Sequence, residues 1–248
     1  PRTPRSKSSS LLSREELRRR ETQRQGIDQR RRRALARTAG MTDVFDEQLH
    51  KKRKESLRNA LDGTLEAGRI SIASIGRGLA HNTGRDVKHA IKQVDRFVGN
   101  EKIDDVELQK QWARHVVGER KDVVVILDWT DFDADRQTVI ALQMVTSHGR
   151  ATPLMWKTVD KRRLKTRRFE YESEVVERLH TALPLEVEVT LLADRGFGDV
   201  ARYQHLDLHS WHYVIRFRGA VTMKVGERTG PASDFLHPSG RATLYRNV

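Results

Sequence analysis

The chain has 248 residues, 37% of them hydrophobic and 33% charged, enough to bury a core in one or two domains. No apolar run nears the ~20 residues a helix needs to cross a bilayer, and the absence of cysteine excludes disulfides and thiolate metal sites. The net charge of +13 is uneven: residues 1–40 hold 13 Lys and Arg against 4 Asp and Glu, leaving 34 against 30 elsewhere. Such a segment reads as the footprint of a polyanion, nucleic acid first, or as a solvated and disordered arm.

The first methionine is Met41, and "MTDVFDEQLHKKRKESLRNAL" reads as a natural start leading at once into a helix, with residues 1–40 upstream of it. No apolar stretch follows the arginines of the arm, so it is not a secretory signal, and its acids argue against a transit peptide. With no cysteine, a reducing cytoplasm is the default compartment.

From residue 41 to about residue 120 the spacing predicts helices. Phe45, Leu49, Leu57, Leu61 and Leu65 recur at three- and four-residue intervals, and Ile72, Ile75 and Leu79 mark a second, short helix. "HNTG" is a turn whose Asn82 or Thr83 would cap the next helix, with an apolar stripe of Val87, Ala90, Ile91, Val94 and Val98. Arg85, Lys88 and Lys92 lie off that stripe. Helix, glycine turn and basic helix together resemble a helix-turn-helix that binds DNA; an ordinary helical hairpin fits the pattern equally.

At Lys121 the period changes. Val123–Leu127 is a continuous β-branched run, followed by strand patterns over residues 136–146 and 151–159 with a tight "SHGR" hairpin between them. "KTVDKRRLKTRR", with seven Lys and Arg in twelve residues, reads as a basic loop before a helix over residues 169–183. A strand over 187–193, a helix over 200–209 and a strand over 211–217 follow, and glycine- and proline-rich hairpins close the chain. Three strands, helix, strand, helix, strand predict an α/β mixed sheet in which the first and fourth strands are central neighbours. This is the arrangement of the ribonuclease H-like fold.

Two apolar runs in this scheme end in a carboxylate, "VVVILDWTDFD" at Asp128 and "VTLLADRGFGDV" at Asp194. Brought together at one sheet edge, the two would repel, and burial would penalise their charge. A hard divalent cation removes both penalties, and Mg²⁺ suits in-line phosphoryl displacement. Singly, each aspartate is also an ordinary turn former, as Asp131, Asp133, Asp135 and Asp199 are expected to be. The basic loop, through Lys161, Arg162, Arg163, Lys165, Arg167 and Arg168, would hold a phosphodiester backbone, or is simply solvated.

"ILDWTDFD", "WKTVDKRRLKTRRFEYE" and "LLADRGFGD" resemble segments of DDE-type transposases of bacterial insertion sequences, in the IS-four-like group, and the likeness runs from about residue 41 to the end. The resemblance implies a helical DNA-binding region over residues 41–120, a ribonuclease H-like core over 121–219 and the start of a β-rich insertion over 220–248. It implies Asp128 and Asp194 as catalytic acids holding Mg²⁺, or Mn²⁺ in its place. It also implies terminal-repeat and target DNA as partners, a homodimer in the synaptic complex, and a nucleoid-associated bacterial protein. One part departs from the family pattern. The third acid, a Glu within Tyr-x2-Arg-x3-Glu-x6-Lys, is missing: Tyr213 and Arg216 have the opening spacing, but position 220 is Ala220. Beyond Asp199 the acids are Asp207, Glu227 and Asp234, so the chain reads as truncated and impaired in catalysis. A DNA-binding relic or regulator of the full-length enzyme is the second reading. A haloacid dehalogenase-like phosphatase ranks lower, because Thr130 stands where its second acid belongs.

Overall fold

The computed structural model describes residues 40–46, 48–241 and 243–245, so all but the last residue of the basic arm lies outside the described residues. Contacts divide the chain into two compact units, one up to Ile103 and one from Asp104.

In the first unit, α1 (Lys51–Ala67), α2 (Ile72–Thr83) and α3 (Val87–Val98) pack around Ile75, Leu79, Ala80, Ala90 and Val94. The helix expected from residue 41 is broken. Residues 44–46 form turns, and α1 starts only at Lys51 with His50 as its cap. Asn82 and Thr83 end α2 rather than capping α3; Gly84 reverses the chain at φ 68°, and the Asp86 carboxylate takes the cap by accepting from the His89 N–H. The α3 stripe is buried only in part, because Val87 and Val98 stay exposed. Glycines set the spacing of these helices. A Cβ on Gly78 would lie 2.3 Å from the Gly63 carbonyl oxygen, and one on Gly76 2.5 Å from Ile91 Cα.

The second unit begins with α4 (Asp105–Val117), which lies within the 41–120 stretch yet packs with the sheet: the Trp112 indole donates to the Pro153 carbonyl at 2.8 Å. The sheet has the order β3-β2-β1-β4-β5, from β1 (Asp122–Phe132), β2 (Gln137–Val145), β3 (Ala151–Asp160), β4 (Glu188–Ala193) and β5 (His212–Ile215). β2 is antiparallel to β1 and β3, whereas β4 is parallel to both β1 and β5. The architecture is therefore the expected ribonuclease H-like mixed sheet preceded by helices. Val123, Val125 and Leu127 of β1 and Val189 and Leu191 of β4 share one core with α4, α5 (Lys161–Ala182) and α6 (Val200–Leu208). Alternation leaves Val124 and Val214 on the more open side of the sheet. The expected hairpin after the core is β6 (Thr222–Val225) paired with β7 (Arg228–Pro231).

The expected basic loop is not a loop. Its first residues finish β3, and from Lys161 the rest is the start of α5, because the Asp160 carboxylate accepts from the Arg162 N–H and caps the helix. Gly78→Ala is expected to destabilise the helical unit by about 1–3 kcal/mol through backbone overlap. A urea midpoint for that unit below the wild-type value checks it.

Candidate active site at the sheet edge

The parallel pairing of β1 with β4 ends at Leu127 opposite Ala193. Asp128 and Asp194 are therefore the next residues on adjacent strands, whose axes run ~4.8 Å apart. The two strands part there for different reasons. β1 continues to Phe132 because β2 still pairs with it on the other side, so Asp128 does not end its strand as expected. β4 stops, and Arg195–Phe197 form a single 3₁₀ turn capped by the Asp194 carboxylate, which accepts from the Gly196 N–H at 2.7 Å. Asp128 likewise accepts from the Trp129 N–H at 2.8 Å.

Both carboxylates are exposed, so burial does not add to their cost as the sequence suggested; their mutual repulsion remains. Neither has an ion-pair partner among the described residues. Two adjacent hard-oxygen donors, each steadied through one oxygen by a backbone N–H, are a donor set that fits Mg²⁺ or Mn²⁺. Gly196 keeps this place open: a Cβ there would lie 3.0 Å from Asp194 Oδ1 and 3.7 Å from Arg168 Nη2.

Behind the pair is a buried carboxylate that sequence reasoning missed. Glu172 of α5 has a side chain only 3% exposed. It accepts from the Trp129 indole at 2.7 Å and from Arg168 Nε at 3.0 Å, and it forms an ion pair with the equally buried Arg202 of α6. Burial pulls the Arg202 guanidinium below its ordinary pKa, and the Glu172 charge works against that shift. Both arginines also lie over the Phe197 ring, each 5.6 Å from its centroid. Trp129 follows Asp128 and Phe197 comes just after Asp194, so one carboxylate ties together the supports of both edge acids.

The cations of α5 come to the same edge. β3 runs in the direction of β1, so the start of α5 emerges beside the ends of β1 and β4. Residues 165–170 are exposed, and buried positions begin only at Tyr171. Lys161 bonds Asp131 at 2.8 Å, Arg167 pairs with Glu170 at 2.7 Å, and Arg168 pairs with Glu172. Arg162 lies against Asp160 and holds that carboxyl down at about 2, chiefly by its hydrogen bond. Arg163 and Lys165 have no ion-pair partner among the described residues. In the first unit Arg85, Lys88 and Lys92 are exposed at helical spacing, and Arg85 donates to Gln93 Oε1 at 2.8 Å.

Of the other aspartates, Asp199 caps α6, and Asp133 and Asp135 form a 3₁₀ turn as expected, while Asp131 sits in β1 opposite Thr138. A family model described as the transposase DDE domain matches residues 119–247, which spans the whole sheet, both edge aspartates and the cationic start of α5. The chain belongs to the DDE transposase family. A search of curated proteins finds no match. Membership makes DNA the implied partner, makes divalent metal the family's usual cofactor, and removes the phosphatase reading. Among the described residues no helix is long and apolar enough to cross a membrane.

Glu172→Ala would strand the buried Arg202 charge and is expected to cost about 3–5 kcal/mol of stability. Thermal unfolding checks it. The double variant Glu172→Gln with Arg202→Met should recover part of that loss, because no charge then remains buried alone.

Proposed function

We propose that this chain carries the DNA strand-cleavage and strand-transfer centre of an insertion-sequence transposase of the IS-four-like group, with Asp128 and Asp194 as two of its catalytic acids. The observation behind this reading is the shared edge: two carboxylates without ion pairs among the described residues, on neighbouring parallel strands, beside a helix start crowded with cations. Open α/β sheets bind ligands beyond the carboxyl ends of their strands. Cations at a helix N-terminus oppose the helix dipole, a cost offset when an anion lies there.

In this reading Asp128 and Asp194 hold Mg²⁺, or Mn²⁺, and the ion supplies charge stabilisation for in-line displacement at phosphorus. The Gly196 N–H and the Trp129 N–H orient the two carboxylates. Arg163 and Lys165 take the phosphodiester backbone, Lys161, Arg162 and Arg167 change partners from carboxylate to phosphate as DNA docks, and Arg168, half exposed while it pairs with Glu172, adds its charge beside them. Arg85, Lys88 and Lys92 bind the terminal repeat, and a homodimer brings two ends and the target together at the nucleoid. After Tyr213 and Arg216, position 220 is Ala220 where the family pattern has Glu. That departure supports a second reading, a DNA-binding regulator of a complete enzyme.

Asp128→Ala is expected to lower Mn²⁺ binding at the sheet edge, read by electron paramagnetic resonance, while leaving DNA affinity unchanged. Mg²⁺-dependent cleavage of terminal-repeat DNA that is lost in Asp128→Ala would favour the catalytic reading over the regulator. For the cationic helix start, Arg163→Ala with Lys165→Ala should reduce the slope of log affinity against log salt by about 2, one for each phosphate no longer neutralised. An unchanged slope in a fluorescence-anisotropy titration would remove these two residues from the DNA path.

A further inference from the structure

Away from the strand-edge aspartates, the facing sides of α5 and α6 bring together Glu177, His205 and His209, each offering a ligand atom within 4.8 Å of the others. Glu177 lies sixteen residues beyond Lys161, past a kink at Arg167 where the backbone leaves helical geometry. His205 and His209 are four residues apart, so they project from one side of α6 and its end.

The histidines look unfinished as a protein-only cluster. Nε2 of His205 and Nε2 of His209 are both buried with no hydrogen-bond partner. His209 Nε2 lies 2.9 Å from Glu177 Oε2, but without hydrogen-bond geometry. A buried ring nitrogen left unpaired costs about 1–3 kcal/mol, a penalty that ligation to a metal ion would remove. The ring of His180 stacks against His209 at 4.2 Å, and His209 also meets His205 edge-on at 4.7 Å. A cavity of about 350 Å³, lined in part by His180, His209 and Trp211, adjoins the cluster at His209.

We propose that Glu177, His205 and His209 form a binding site for a transition-metal ion of the zinc type, separate from the strand-edge pair. The donor chemistry selects the ion. Two imidazoles and one carboxylate suit Zn²⁺, whereas Mg²⁺ prefers oxygen alone. The metal would clip the end of α6 to α5, and α6 is the helix that delivers Arg202 to Glu172. Its role is structural, and stability should rise with metal concentration as for any ligand that binds only the folded state.

The test uses the full 248-residue chain, without a histidine tag and stripped with chelator, titrated with ZnCl₂ alone by calorimetry and with CoCl₂ by visible absorption. One equivalent of Zn²⁺ should bind and raise the melting temperature, and Co²⁺ should give the intense bands of a four-coordinate site. Glu177→Gln, at a half-exposed position, should fold normally in chelator yet bind Zn²⁺ at least about tenfold more weakly. His209→Asn should do the same, while Asp128→Asn with Asp194→Asn should leave the Zn²⁺ equivalent in place. Absence of stoichiometric binding would overturn the proposal. So would binding that survives Glu177→Gln and His209→Asn, or that disappears with the two edge aspartates.

Discussion

The second unit depends on one buried negative charge. Glu172 sits where α5, α6, β1 and the turn after β4 converge, and its two oxygens are shared among an indole and two guanidinium groups. A buried ion pair is weak evidence for stability by itself, since desolvation offsets most of the attraction. What such a group does strongly is penalise alternatives: a shift of α6 would leave Arg202 charged and alone. Trp129 and Phe197, the neighbours of the edge acids in sequence, are held by the same cluster. The placement of Asp128 relative to Asp194 is therefore set by more than the sheet register.

The sheet edge above this cluster is electrostatically divided. Two exposed carboxylates stand at the centre, and the start of α5 brings cations alongside. Neither half is arranged for stability, because like charges repel and cations oppose the helix dipole. The protein relieves part of the second conflict locally, with Asp131, Asp160 and Glu170 each engaging a cation. Those pairs are exposed and weak, so they can yield to phosphate without great cost. An edge that tolerates two such conflicts is explained more readily by the charge of its ligands than by folding.

Much of this was legible from residues alone. The β-branched run at Val123–Leu127, the alternation in β2 and the glycine at Gly149 reported the strands and the β2–β3 hairpin, because burial imposes a two-residue period on a half-covered sheet. Element boundaries were less visible where capping decided them. Asp160 turns an apparently basic loop into a helix by accepting one backbone N–H, and Asp86 takes a cap that Asn82 or Thr83 could have supplied. Composition reports that a stretch is charged; a single hydrogen bond reports whether it is helical.

The sequence by itself determined the order of strands and helices, the two aspartates that follow apolar runs, and the segments shared with DDE transposases, since these are carried by local pattern. The tertiary structure alone decided which charges meet. Glu172 and Arg202 are 30 positions apart, and nothing in either local pattern distinguishes them from solvated side chains. The same holds for Glu177 with His205 and His209, which look like ordinary surface residues until two helices pack. Hydrophobic period specifies which face of an element is buried, but the partner of a polar group on that face depends on the register between elements, and only the folded packing sets it.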